Sequence, residues 1–425
     1  MISALKNAWK IPDLKKKIIF TLLMIAVFRF GAVIPVPGMN VSVVRNIVDQ
    51  AGILGFFDLF SGGAFGNMTI FALSITPYIT ASIIMNLLTI AIPSLEALAK
   101  EGETGRKKIA QYTRYATVVL ALIQATGTTI GLFRGALIDT TTFTLITVIL
   151  TLTAGTAFLM WLGEQITEKG IGNGISLIIF SGIVSRVPSS AYRTFLLARE
   201  GEISIIALVV FLVLSVAIIA GVVAIHQGAR KIPVQYAKRV VGRKMYGGQS
   251  THIPLKVNQA GVIPVIFATS LLTMPQMMST FWPNSWFADF INTWLSPAST
   301  NIFGVGFYML LNALLIIGFT YFYTAITFNP IEVANNMKKN GGFIPGIRPG
   351  RPTSEYLTKV LNRITLAGAV FLASIALMPT LIMRLTGMQI AFGGVALLIA
   401  VGVALETMKQ VEAQMLMRHY QGFLK

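Results

Sequence analysis

The chain has 425 residues, of which 54% are hydrophobic and only 12% charged, with Lys and Arg outnumbering Asp and Glu 34 to 16. A water-soluble domain carries about a quarter charged residues, so this composition excludes an ordinary soluble fold and points to a bilayer. The net charge of +18 fits basic cytoplasmic loops or anionic partners, and the absence of cysteine removes disulfides, thiolate metal sites and cysteine nucleophiles together.

A helix crossing a hydrocarbon core of about 30 Å needs roughly 20 apolar residues. Ten such spans are expected, near 18–37, 69–92, 112–133, 143–163, 172–187, 203–226, 258–282, 303–328, 359–383 and 388–408. The polar, Lys-rich start, Met1 to Lys17, is followed by no small-residue cleavage site. The first span therefore reads as retained rather than as a signal peptide. The fifth is the shortest. Pro77, Pro264 and Pro379 are expected to kink or loosen their spans. The Gly172-Asn-Gly174 sequence reads as a helix-start turn.

Loop charges orient these spans. With the N-terminus inside, the inside segments are the N-terminal arm, 93–111, 164–171, 227–257, 329–358 and the tail at 409–425. They hold most of the basic residues, as the positive-inside rule requires. One outside loop breaks the pattern with Arg186, Arg193 and Arg199. Both termini are expected in the cytoplasm. The chain divides at an external hinge loop, 188–202, into halves of five spans, 1–187 and 203–408. An odd number of spans per half sets the halves in opposite orientations, although no sequence repeat is evident.

Residues 53–67 are apolar, too short to span, rich in glycine and interrupted by Asp58. Two readings stand, an amphipathic loop on the outer surface or a short re-entrant helix hinged at Gly62, Gly63 and Gly66. In the second span Ile75, Ile79 and Ile83 recur every fourth residue on one face, and Ile179 and Ile183 repeat the interval in the fifth. Such spacing by itself speaks of lipid contact or helix packing.

The loop 227–257 carries seven basic and no acidic side chains, with Tyr236, Tyr246 and His252 among them. The 329–358 loop contains the turn-rich run Asn340-Gly-Gly-Phe-Ile-Pro-Gly-Ile-Arg-Pro-Gly350. Fixing topology needs only short basic loops. Loops of this length and framing fit a cationic docking platform for an acidic protein surface or RNA phosphates.

Several signatures are missing. The sequence has no HExxH pair, no aspartate-rich diphosphate motif and no phosphate-binding loop with the right spacing. Ionisable residues are nearly absent from the spans, with Arg29 late in the first and Arg114 and Glu406 near ends. An ion-coupled transporter keeps a charge near the midplane, and an intramembrane enzyme needs an acid, base, metal or nucleophile constellation. Ten spans in two halves leave a channel or a solute transporter open, with the channel favoured.

Five stretches in order resemble the SecY/Sec61-alpha family of protein-export channel subunits. They are Ile75-Thr-Pro-Tyr-Ile-Thr-Ala-Ser-Ile83, Gly102-Glu-Thr-Gly-Arg-Lys-Lys-Ile-Ala-Gln-Tyr-Thr-Arg114, Gly170-Ile-Gly-Asn-Gly174, Ser250-Thr-His-Ile-Pro-Leu-Lys-Val-Asn-Gln-Ala-Gly-Val-Ile-Pro264 and Phe343-Ile-Pro-Gly-Ile-Arg-Pro-Gly350. The resemblance rests on no motif within the cluster at 186–202. The resemblance implies an all-α integral membrane protein, ten transmembrane helices in two inverted five-helix halves around a central pore, with neither cofactor nor metal. It implies a pore ring of Ile75, Ile79, Ile179, Ile183, Ile266 and Ile399, and a plug at 53–67 that includes Phe57, Leu59, Phe60, Gly62 and Gly63. It further implies a lateral gate between the second and third spans and the seventh and eighth, with Thr80, Gln124 and Thr269 as its polar residues.

The resemblance implies docking of the ATPase SecA or a translating ribosome, with Arg348 as the expected motor contact, supported by Arg239, Arg243 and Lys244. SecE and SecG are the subunits the resemblance implies, in a bacterial plasma membrane with anionic headgroups. Signal-sequence-bearing preproteins and nascent membrane proteins are the implied cargo.

Overall fold

The structure is a computed structural model that describes residues 9, 11–50, 58, 61–201, 205–236, 239–241, 244–246, 250–279, 282, 284–297, 299, 301–386 and 394–422. Each of the ten expected spans contains a helix among the described residues. The first half holds α1 (Pro12–Gly31), a short outer helix α2 (Val41–Gln50), α3 (Thr76–Ala91), α4 (Pro93–Lys100), α5 (Glu103–Gly127), α6 (Thr142–Lys169) and α7 (Gly174–Arg199). The second half holds α8 (Ile205–Gln227), α9 (Ile263–Ser279), a short α10 (Trp286–Trp294), α11 (Ile302–Thr327), α12 (Pro330–Lys339), α13 (Arg351–Thr386) and α14 (Gly394–Gly422).

Five helices among the described residues are each long and apolar enough to cross a membrane, and a sixth is if the bent pair α3–α4 counts as one. Leu212–Gln227 and Ile263–Gln276 are shorter apolar helices. Many large apolar side chains on these helices face outward, among them Phe143, Leu150, Val213, Phe303 and Leu310. A water-facing surface would not tolerate such a band, and lipid would.

Local chemistry sets the breaks. Asn173 caps α7, its side chain accepting from the main chain of Ile175 and Ser176, so Gly172-Asn-Gly174 is the helix start expected. Ile92 is extended before Pro93, which disfavours helix in its predecessor, and α3 and α4 meet there at 99°.

Three expectations are revised. Pro77 and Pro264 occupy the first turns of α3 and α9, where the missing N–H is unneeded, so they open helices instead of kinking them. Pro379 falls within α13, its side chain outside the described ones. The second span begins at Thr76 and not near 69, because 69–75 is a chain of turns. The stretch expected as a hinge loop is helix as far as Arg199, so α7 is a long helix with Pro188 inside it.

The halves share one core. It joins Phe28, Leu159, Ile178 and Ile183 of the first half to Val222, Ile316, Leu372 and Leu398 of the second. The halves meet along two seams, α3 against α9 and α7 against α14. A second cluster lies around the loops between α1 and α3 and after α5, where Val44, Phe65, Met68, Phe133 and Leu152 are buried together. Close backbone approach fixes the 69–75 turns against α6: a Cβ on Gly155 would lie 1.8 Å from the Ile70 carbonyl oxygen.

The two long polar loops form one unit. Strand β1 (Ala229–Tyr236) pairs antiparallel with β4 (Ser250–Lys256) along its length, while β2 (Arg239–Val241) and β3 (Lys244–Tyr246) make the hairpin between them. Strand β5 (Gly342–Phe343) from the other loop adds to the free edge of β1, giving the order β4-β1-β5. Ile232, Val234, Leu255, Met337, Ile344 and Leu357 form a core beneath the sheet.

Candidate functional site

Ser74 adopts a left-handed conformation, φ +52°, and turns the chain into α3 immediately after Ile75. Ile75 and Ile79 then stand one turn apart on the same face. On α7 the same spacing aligns Ile179 and Ile183, while Ile266 comes from α9 and Ile399 from α14. Four helices, two from each half, thus bring the six isoleucines together.

A cavity of about 50 Å³ is lined by Ile75, Ile79, Ile179, Ile266 and Ile399, with Ser74, Thr76, Thr269, Ser270 and Thr273. Ile183 does not line it but is buried in the same cluster. Ile75, Ile179, Ile183 and Ile399 are 1%, 5%, 2% and 1% exposed, so they pack against one another and leave little open space between them. The apolar wall offers no ligand to an ion or hydrogen bond to a chain, and the hydroxyls lie on the α3–α9 side.

Thr80 and Thr269 are both buried, but their hydroxyls donate to their own helices, to Thr76 O at 3.1 Å and to Val265 O at 2.9 Å. The α3–α9 seam therefore closes without a hydrogen bond between these two. Thr269 lines the cavity, whereas Thr80 and Gln124 do not.

Of the segment 53–67, Phe57, Leu59 and Phe60 lie outside the described residues. Gly62 and Gly63 are left-handed, with φ of +65° and +94°. A Cβ on Gly62 would lie 2.7 Å from Gly182 Cα, so this loop rests backbone to backbone on α7, beside the turn that carries Ile183. Ser61, Ala64, Phe65 and Met68 are buried. Asp58 forms an ion pair with Arg186 of α7, and Arg29 donates from Nη1 to Gly62 O at 3.3 Å. Arg186 and Arg29 were not among the expected site residues. For Arg29 and Asp58 the signal was an intramembrane arginine and a lone aspartate in an apolar run, both of which need partners, whereas Arg186 read as part of an outside loop.

Arg348 is exposed at the tip of the second polar loop, its carbonyl accepting from Thr353 Oγ1 at 2.9 Å. Arg239 lies in β2 and Lys244 in β3, where the register pairs Arg239 with Tyr246 and Val241 with Lys244. Arg243 lies outside the described residues. Among the described residues no group of acidic, histidine or cysteine side chains could hold a metal.

The model of the SecY family matches residues 69–408. Protein translocase subunit SecY of Halalkalibacterium halodurans is 50% identical over the full length of both chains. The chain belongs to the SecY family. SecY proteins are translocase subunits, and the family is one of channels rather than enzymes. Among solved structures, one described as the structure of a protein conducting channel aligns with a TM-score of 0.68 at 19% identity, covering 94% of this chain and 92% of that one. Sec61 in the canine ribosome-channel complex from the endoplasmic reticulum aligns with a TM-score of 0.65 at 18% identity, covering 94% and 92%. The mostly helical fold shared with these channel structures, with its several long apolar helices, is that of a multi-pass membrane protein.

Proposed function

We propose that the chain conducts unfolded secretory polypeptides across the bacterial plasma membrane through a pore whose constriction is the isoleucine ring Ile75, Ile79, Ile179, Ile183, Ile266 and Ile399. The observation that carries this reading is the convergence of five of these on one cavity from four helices of both halves. A collar of branched apolar side chains raises a dewetting barrier to ions and gives a sliding chain nothing to bind. Asp58 and residues 61–67 seat against α7 beside this collar, and the segment 53–67 acts as its plug.

The α3–α9 seam is the lateral gate, through which an apolar segment of about 20 residues partitions into lipid by hydrophobic transfer. Closure of that seam through apolar contact and own-helix hydroxyl bonds supports this reading, since opening leaves no hydroxyl of Thr80 or Thr269 unpaired. The joined sheet of the two polar loops is the cytoplasmic dock for SecA or a ribosome, with Arg348, Arg239, Arg243 and Lys244 as its cationic contacts. SecE and SecG complete the complex, and both termini are cytoplasmic.

Ion flux tests the collar. Ile266→Asn and Ile399→Asn, reconstituted in proteoliposomes, are expected to raise ion leak and to pass precursors with weakened signal sequences. Leak at the parent level in both variants contradicts the ring.

A further inference from the structure

Asp58 is the single charged side chain in the segment 53–67. Its side chain is only 15% exposed where it pairs with Arg186, itself 33% exposed. Asp58 also organises the loop around it. Its Oδ1 accepts from Gly66 N at 2.6 Å, while its carbonyl accepts from Gly63 N at 2.9 Å and Ser61 Oγ at 3.1 Å. On the opposite side the Arg29 guanidinium reaches the Gly62 carbonyl from α1.

The two glycines make room for the two cations. A Cβ on Gly62 would lie 2.7 Å from Arg29 Nη1, and one on Gly63 would lie 2.9 Å from Arg186 Nη2. Both residues are also left-handed, so glycine is required there for conformation and for space.

The placement of Arg186 adds a mechanical link. Ile179, Ile183 and Arg186 follow the spacing i, i+4, i+7 and so share one face of α7. The face that gives the collar two isoleucines also holds the loop by its charge. Displacing α7 to widen the collar moves Arg186 by the same rigid-body shift.

We infer that Arg186 and Arg29 are positioning residues that latch Asp58 and the loop 61–67 in the seated state, Arg186 by charge through Asp58 and Arg29 through the Gly62 carbonyl. The latch couples unseating of the loop to movement of α7 away from α1. This inference rests on the sealing role proposed above for that segment. A pair that merely neutralised two charges in apolar surroundings would affect stability and leave seating unchanged.

The test reads seating separately from sealing. The chain has no cysteine, and Ser61 is 1% exposed, so Ser61→Cys supplies one buried thiol in the loop. Full-length protein in proteoliposomes is treated with a membrane-impermeant thiol reagent, and ion flux is measured on the same vesicles. Asp58→Asn and Arg186→Gln are expected to speed labelling of this thiol by about tenfold or more, because each breaks the Asp58–Arg186 ion pair. Arg186→Lys, which keeps the charge, is expected to label near the parent rate. Asp58→Asn keeps the side-chain size and serves if Arg186→Gln is recovered unfolded.

Parent-rate labelling in Asp58→Asn overturns the latch, as does equal acceleration by Arg186→Lys and Arg186→Gln. Faster labelling with unchanged ion flux leaves the latch standing and removes the sealing role instead.

Discussion

Gly155 and Ile70 set the tightest backbone contact behind the collar, 1.8 Å from a notional Cβ to a carbonyl oxygen, and neither atom can move far in a packed helix and turn. Gly155→Ala is therefore expected to destabilise the fold by about 1–3 kcal/mol through overpacking, read as a lower unfolding temperature in detergent. An unchanged midpoint would mean that the 69–75 turns are free to shift. Arg348 is the opposite case, an exposed cation with no packing role. Arg348→Ala is expected to leave the unfolding midpoint where it is and to weaken binding of the motor or ribosome by about tenfold, measured by titration on proteoliposomes.

At this scale the sequence was legible in its periodicities. The i, i+4 isoleucines were visible, but spacing alone could not distinguish a collar from a lipid-facing stripe, and the family resemblance chose between them. The Asp58–Arg186 pair was not legible, since its members lie 128 positions apart and only the fold brings them together.

Helix ends and loop pairing were harder to read than helix existence. Hydropathy placed a helix within each of the ten expected spans, because runs of about 20 apolar residues favour helices that cross a bilayer. It misplaced the start of α3, since the 69–75 turns are as apolar as the helix that follows, and turns buried in protein carry no polar mark. It ended α7 early, because Pro188 and the serines after it look like a loop, whereas the helix absorbs the proline and runs on to Arg199. That β5 joins β1 was invisible, since two- and eight-residue strands in separate loops share no local signal. The joint core beneath the sheet gives a test. Leu255 is fully buried there, and Leu255→Ala is expected to cost about 2–5 kcal/mol within this unit. Limited proteolysis of vesicles should then cut faster in both polar loops together; cutting in 227–257 alone would show that the loops fold separately.

Among the described residues the two halves, each built on five expected spans, meet mainly along two seams and share an apolar core. The own-helix hydroxyl bonds of Thr80 and Thr269 at the α3–α9 seam are compatible with opening, because separating the halves there breaks neither bond and exposes apolar surface to lipid, a solvent of similar polarity. Thr76 and Thr273 line the cavity from its two sides. Cysteines placed at both and bridged by a short cleavable bifunctional reagent are expected to block insertion of transmembrane segments, with recovery on cleavage. Insertion that continues while bridged would move the gate elsewhere.

The central claim, that a polypeptide passes through the isoleucine collar, is tested most directly by crosslinking. A single cysteine at Ile75 or Ile266 is combined with a secretory precursor that is stalled by a bulky folded domain and carries one cysteine at the expected depth. Disulfide formation is followed with and without ATP and the motor. The account predicts a crosslink that needs both ATP and the signal sequence, and none to a lipid-facing cysteine at Leu150. Equal reaction at Leu150, or none at either isoleucine, would contradict it.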